Sequence, residues 1–507
     1  MKSRVFAGLI SALLSVSVLA ASPSHASGRD PERAPTVSGP VTGGEGVQAI
    51  GISYDFESVG YVYEEFFFEG DAVGYEHAGT FKRDGKWRVE EGDSAPFKTR
   101  MIVVRPKDPA DFSGTVFVEW FNVTGGVDAG PTLLMGHNQI LRSGAAWVGV
   151  TTQAVGVTGG EETVQSDTVD IPQGGLVNSD PARYGTLTHP GDLYSYDIFT
   201  QTAAAISGEG DGVDPMAGLH VERVIAMGQS QSAARLTTYV NAVHPLVGAY
   251  DGFLIHSRVT APAPLGEGQA DVVDPTIPDG TGIRSDTDVP VFIFETEYDV
   301  IGGYAGARQP DSKNVRLWEV AGTSHIDAYT GGAYSITDLG DGAAELALLD
   351  PATAGGGALG CAQPLNAGGQ YVVLMAVMSH LEEWVRDGTA PRKFPRLDVT
   401  GEGDSIEAVR DELGIATGGV RTPLVDVPLA ANTGHATNTP NFCRVMGVQE
   451  PFDAATLAEL YPNGSHEYVE AFDEAVDRAV KKGIWLEPEA KNYKAAAHQL
   501  SLEGAAE

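Results

Sequence analysis

The chain has 507 residues, of which 42% are hydrophobic and 20% charged. That is enough to bury a large core in one big domain or two to three smaller ones. Its formal net charge is −35, so its surface repels nucleic-acid phosphate and anionic lipid, and neither nucleic acid nor membrane is expected as a partner.

The N-terminus reads as a cleavable signal peptide over residues 1–26. Lys2 and Arg4 precede an apolar stretch from 5 to 21, and Ser24-His25-Ala26 offers a small-x-small cleavage site. The protein is therefore expected to be secreted or periplasmic. Its two cysteines, Cys361 and Cys443, suggest a disulfide in an exported chain. Residues 27–58 read as a linker at the mature end, rich in Gly, Pro and Ser.

A β-rich segment follows. Residues 60–68 and 98–105 have strand composition, and 116–121 form the next strand. Asn122-Val123-Thr124-Gly125-Gly126 follows that strand as a glycine-bearing loop. A helix is expected over 133–142, a strand over 146–150 and a second helix over 192–206.

The chain then reaches Arg223-Val224-Ile225-Ala226-Met227-Gly228-Gln229-Ser230-Gln231-Ser232. A short apolar strand ends on glycine, and a helix starts almost at once. Gly228-x-Ser230-x-Ser232 is one residue off the Gly-x-Ser-x-Gly of a nucleophile elbow, a crowded turn whose flanking positions must be small. Ala233, Leu236, Val240 and Val243 share a helix face, and His244-Pro245 is expected to close the helix.

Strands are expected over 252–255, 289–294 and 315–320, the last being the final strand. The Gly-, Pro- and Asp-rich stretch 257–288 reads as a lid loop. Alternating strands and helices argue for a mostly parallel α/β sheet. Helices close the chain: one over 370–387, one carrying Val469, Phe472, Val476 and Val480 and ended by Lys481-Lys482-Gly483, and one starting near Pro488. The expected hydrolase unit is 59–387, with 388–507 an extension packed on the same domain.

A serine nucleophile needs a base and an acid that orients the base. Both follow in order. The strand ending at Phe294 runs into Glu295-Thr296-Glu297-Tyr298-Asp299, and the strand ending at Val320 runs into Ala321-Gly322-Thr323-Ser324-His325. Asp299 is favoured as the acid, with Glu297 as its alternative, and His325 is the base. His256 lies just after another strand and is expected to line the pocket. Gln231, next after the serine, should supply one oxyanion-hole N–H, and Val123 or Asn122 the other. No His-Glu-x-x-His, phosphate-binding loop or well-placed Gly-x-Gly-x-x-Gly occurs, so no metal and no cofactor is expected.

At these residues the chain resembles the α/β-hydrolase superfamily and, more narrowly, a secreted bacterial α/β-hydrolase-domain family of mostly unassigned substrate. The matching stretches are Gly60 to Phe67, Val118 to Val123, Gly228 to Ser232, Thr296 to Val300, Glu319 to His325, and Tyr468 to Gly483. The resemblance implies an α/β-hydrolase fold and a serine hydrolase with Ser230 as nucleophile, His325 as base and Asp299 or Glu297 as acid. The function expected is an exported carboxylic ester hydrolase acting on a small-molecule ester through an acyl-enzyme. The alternatives are an amidase or peptidase on the same residues, or a non-catalytic binding protein that keeps the fold.

Overall fold

The computed structural model describes residues 34–51, 55–160, 174–258, 261–266, 274–351, 361–435 and 441–502. The signal segment 1–26 lies outside the described residues, as do 259–260 and 267–273 of the lid loop.

One ten-stranded sheet organises the chain. Its strands are β1 (Thr36–Ser38), β2 (Tyr61–His77), β3 (Val89–Pro106), β4 (Thr115–Trp120), β5 (Ala146–Val150), β6 (Asp211–Gly212), β7 (Arg223–Gln229), β8 (Gly252–His256), β9 (Val291–Thr296) and β10 (Val315–Val320). Across the sheet they run β10-β9-β8-β7-β4-β5-β3-β2-β1-β6. From β10 to β5 every pairing is parallel, and β3 and β2 add to the β5 edge antiparallel. The fold is that of an α/β-hydrolase, with an N-terminal antiparallel part and a helical C-terminus.

The central strands are buried on both faces, and their side chains alternate between two cores. In β4, Phe117 points into one core and Val116, Val118 and Trp120 into the other. Ile225 and Met227 of β7 join Phe117, while Val224 and Ala226 face the opposite way. Period-two alternation thus delivers apolar surface to both sides of one sheet, which requires helices on each. Tyr371, Val372 and Met375 of the helix Gln370–Asp387, with Tyr468, Phe472 and Val476 of Ser465–Lys482, fill the first core. Ile198, Phe199 and Ala203 of Ser195–Ile206 fill the second, with Leu236 from the helix after β7. Residues from 388–502 therefore share a core with the sheet.

Four expectations meet differences. The linker 27–58 contains β1, which pairs with β2 and β6 and buries Val37; three residues are too short to show a period. His244-Pro245 does not close the helix after the elbow. Gln231–Thr238 is followed by a π-turn, Tyr239–Val243, and a last turn, His244–Val247. Proline cannot donate to the carbonyl four residues back. Here that carbonyl, of Asn241, accepts from Arg284 Nη1 at 3.0 Å instead. Val315–Val320 is the final strand of the main sheet only. Two small sheets follow, Val399–Thr400 with Glu407–Ala408 and Ala430–Thr433 with Val448–Pro451. Finally, β2 and β3 extend far beyond the two β-like stretches, to 17 and 18 residues; the added part of β3 is largely exposed, while that of β2 buries Ala72, Val73 and Tyr75 in the second core.

Cys361 and Cys443 form a disulfide across 82 residues of sequence. Among the described residues no helix is long and apolar enough to cross a membrane.

Candidate active site

Ser230 sits at the carboxyl end of β7, where the chain turns into the helix Gln231–Thr238. Its φ of 63° and ψ of −117° lie in a region that L-residues rarely adopt. The surroundings hold it there. Its N–H donates to the carbonyl of His256, at the end of neighbouring β8, at 2.9 Å. A Cβ on Gly228 would come within 3.1 Å of Leu236 Cδ1 and of the Ser232 backbone, so that position must stay small.

Ser232, where the commoner pattern has glycine, is fully buried. Its hydroxyl accepts from the Gln229 N–H at 3.1 Å and donates to the Gln229 carbonyl at 2.9 Å. The extra atoms thus fold back onto the turn instead of pushing helix from strand.

His325 follows β10 and Asp299 follows β9, so both approach Ser230 from the same sheet edge. Nε2 of His325 is 2.8 Å from Ser230 Oγ, and its Nδ1 is 2.6 Å from Asp299 Oδ1. The other carboxylate oxygen, Oδ2, accepts from the Thr296 N–H at 2.9 Å and its hydroxyl at 2.6 Å. Burial pushes the Asp299 carboxyl up, but His325 and the Thr296 donors more than offset this and hold it below the usual range. A neutral imidazole fixed this way carries its proton on Nδ1 and presents a lone pair to the serine hydroxyl.

Glu297 is turned elsewhere. Its Oε1 accepts from Arg410 Nη2 at 2.6 Å and the Gly434 N–H at 3.0 Å, and its Oε2 from the Gly322 N–H at 2.9 Å. His256 has no accessible surface and lies beneath the site. Its Nε2 is 3.0 Å from Gln370 Nε2, which also donates to the His325 carbonyl at 3.3 Å. Burial lowers its pKa to about 3, so it is a neutral acceptor.

The loop after β4 adjoins the elbow because β4 pairs with β7. Sequence order reverses between these strands, and such switch points open a crevice at the carboxyl edge. The Asn122 N–H is engaged with the Ala129 carbonyl at 2.9 Å. Its side chain ties the loop to the elbow: Nδ2 donates to the Gln229 carbonyl at 3.0 Å, and Oδ1 accepts from the Thr124 N–H at 2.8 Å. Gln231 opens the elbow helix, where N–H groups lack helical partners. Its side chain donates to Gln153 Oε1 at 2.8 Å, which also accepts from Trp120 Nε1 at 3.0 Å.

Sequence reasoning did not single out Gln229, Thr296, Gln370, Gln153 or the clamp made by the Asn122 side chain. Thr296 alone carried a signal, since Thr-x-x-Asp is a helix-capping pattern, and the capping box is present. The glutamines act across strands and loops, where no spacing rule applies.

Residues 37–495 match a family model described as Alpha/beta hydrolase domain. The chain belongs to this α/β-hydrolase family. No curated protein sequence matches it. Among solved structures the hydrolase is similar to an alpha-beta serine hydrolase homologue from Coxiella burnetii, at 8% identity, 47% of this chain, 88% of that one and a TM-score of 0.27. It is also similar to an α/β serine hydrolase without lid from Xanthomonas campestris, at 10% identity, 45% and 80% coverage and a TM-score of 0.27. A third is esterase Est22, at 11% identity, 49% and 71% coverage and a TM-score of 0.26. None of these likenesses bears on the substrate.

Proposed function

We propose that this α/β-hydrolase is an exported serine carboxylester hydrolase. The observation that carries the reading is the unbroken run of contacts from Ser230 Oγ through both imidazole nitrogens of His325 to Asp299. In this reading Ser230 Oγ attacks the ester carbonyl while His325 Nε2 takes its proton, and Asp299 stabilises the imidazolium that forms. The carbonyl oxygen becomes negative as the tetrahedral intermediate forms. The Gln231 N–H receives it, with Val123 as the second donor because the Asn122 N–H is already engaged. When the intermediate collapses, His325 returns the proton to the departing alcohol. Water then attacks the acyl-serine with His325 again as base, releasing the acid and restoring the hydroxyl.

Export is supported by the basic-then-apolar N-terminus and by the Cys361–Cys443 bridge, a bond favoured in oxidising compartments. The direct experiment is active-site labelling with a fluorophosphonate probe, run beside a panel of short esters and amides. Wild type should label and turn over esters, and Ser230→Ala should do neither. Undiminished labelling of folded Ser230→Ala removes Ser230 from the chemistry.

A further inference from the structure

Ser230 and His325 are joined by more than the contact between their side chains. The His325 main-chain carbonyl accepts from two carboxamides, Gln229 Nε2 and Gln370 Nε2, each at 3.3 Å. Gln229 ends β7 and precedes the nucleophile, while Gln370 opens the helix Gln370–Asp387, whose residues 370–378 are all buried. A carbonyl oxygen can only accept, so Gln370 must turn its NH2 group towards it. The same nitrogen lies 3.0 Å from His256 Nε2, which therefore accepts as well, and the His256 proton sits on Nδ1. Nε2 stays an acceptor because burial keeps this ring neutral. The main chain of His256 has a second task, since its carbonyl accepts the Ser230 N–H at 2.9 Å. A path of hydrogen bonds thus runs from the backbone of the nucleophile through His256 and Gln370 to the backbone of the base. No reacting atom lies on it.

We propose that His256 and Gln370 are a pair of positioning residues that set the separation between Ser230 and His325. The inference rests on the serine-hydrolase reading and deepens it. Asp299 holds the imidazole at Nδ1, 2.6 Å away, and Ser230 meets it at Nε2, 2.8 Å away. Neither contact fixes the main chain from which the ring hangs. Gln370 and Gln229 do so by occupying both lone pairs of the His325 carbonyl, and a slip of about an ångström there would open the contact to the serine. His256 ties this setting to the nucleophile, because a shift at the end of β8 carries the Ser230 N–H and the Gln370 carboxamide together. Burial alone does not call for polar groups here. Both side chains are fully buried, and among the described residues His256 Nδ1 and Gln370 Oε1 have no hydrogen-bond partner. An apolar pair of like shape would fill the same space with nothing left unpaired.

The test uses the full mature chain and a neutral substrate, p-nitrophenyl acetate. Gln370→Met keeps the length of the side chain and removes its donors; His256→Phe keeps a ring and removes its acceptor. Each should lower kcat about 10- to 100-fold while KM changes by less than about threefold. The double variant should lose no more than Gln370→Met alone, because the two residues act as one unit. Its unfolding midpoint should stay at or above that of wild type, which a merely structural role would not give. A kcat within about threefold of wild type in folded Gln370→Met, or losses that multiply in the double variant, overturns the proposal. If Gln370→Met fails to fold, the double variant carries the same comparison with wild type. A second readout needs no turnover. The His325 Nδ1 proton, held in the short bond to Asp299, gives a far-downfield proton resonance in Ser230→Ala. In the Ser230→Ala, Gln370→Met double variant it should shift or broaden, and an unchanged resonance overturns the proposal. If instead Ser230→Ala retains full ester turnover, the hydrolase reading fails while this resonance still reports on the placing of His325.

Discussion

Replacing Asp299 by asparagine changes one atom, and the structure fixes what that atom does. Oδ2 accepts two donors from Thr296, the N–H at 2.9 Å and the hydroxyl at 2.6 Å. A carboxamide in the same place must keep its carbonyl oxygen there, since an NH2 group would face the Thr296 N–H. Its NH2 therefore takes the Oδ1 position, 2.6 Å from His325 Nδ1 in the native protein. An N–H donor at that point requires Nδ1 to accept, which moves the imidazole proton to Nε2. Nε2 then points an N–H at Ser230 Oγ, and no lone pair remains to take the hydroxyl proton.

The expected loss in kcat is on the order of 10⁴-fold, about 5 kcal/mol of transition-state stabilisation, the scale on which a wrong imidazole tautomer acts in serine hydrolases. The fold should survive, because the capping contact to Thr296 persists. Steady-state hydrolysis of a neutral p-nitrophenyl ester reads the effect, with thermal unfolding as the control. Glu297→Gln is the comparison: it disturbs the contacts to Arg410, Gly434 and Gly322, so it should lower the unfolding midpoint more than the chemistry. A kcat reduced less than tenfold in folded Asp299→Asn, or a larger kcat loss in folded Glu297→Gln, refutes this assignment of the acid.

Asn122→Ala removes the bridge from the loop after β4 to the Gln229 carbonyl. A donor loop displaced by about an ångström should cost roughly 10- to 100-fold in kcat, and a kcat within twofold of wild type would falsify the clamp. Stability should fall as pH rises. Burial lifts the carboxyls of Glu119, Asp327 and Glu345 to about 7, with Asp338 adding to the effect on Glu345. A folded-state pKa above the unfolded one gives stability that is full below the ordinary carboxylate range and lost as pH climbs through about 7. The unfolding midpoint should therefore drop between about pH 5 and pH 8, and Glu345→Gln should shallow that slope; a slope equal to wild type counts against the burial argument.

The parallel strands β4, β5 and β7 to β10 were legible because they are short apolar runs separated by turn residues, and Ser230, Asp299 and His325 each follow such a run. The choice between Glu297 and Asp299 was not. Both stand just past β9, and only the helical turn Glu297–Ile301 separates them. Residues two apart on a helix point nearly opposite ways, so one faces His325 and the other Arg410. The π-turn at Tyr239–Val243 was hidden for a different reason: it depends on Arg284, more than forty residues away, supplying the hydrogen bond that Pro245 lacks. Tyr298 and His435, whose rings stack, come from separate segments without shared periodicity, so no window of sequence brings them together.

The strained backbone of Ser230 explains why so much polar machinery converges on Ser230 and Gln229. A residue in that region costs about 1–3 kcal/mol and persists only where its surroundings over-determine it. Three clamps act here. The His256 carbonyl holds the Ser230 N–H from β8, Asn122 holds the Gln229 carbonyl from the loop after β4, and Ser232 grips Gln229 from the elbow's own helix. A glycine at position 232 would leave the first two in place and remove only the third. The elbow is thus fastened to both flanking strands, and the departure from the commoner glycine reinforces the turn. The geometry that presents the hydroxyl to His325 is a property of three adjacent strands together, which is why a five-residue motif alone describes it poorly.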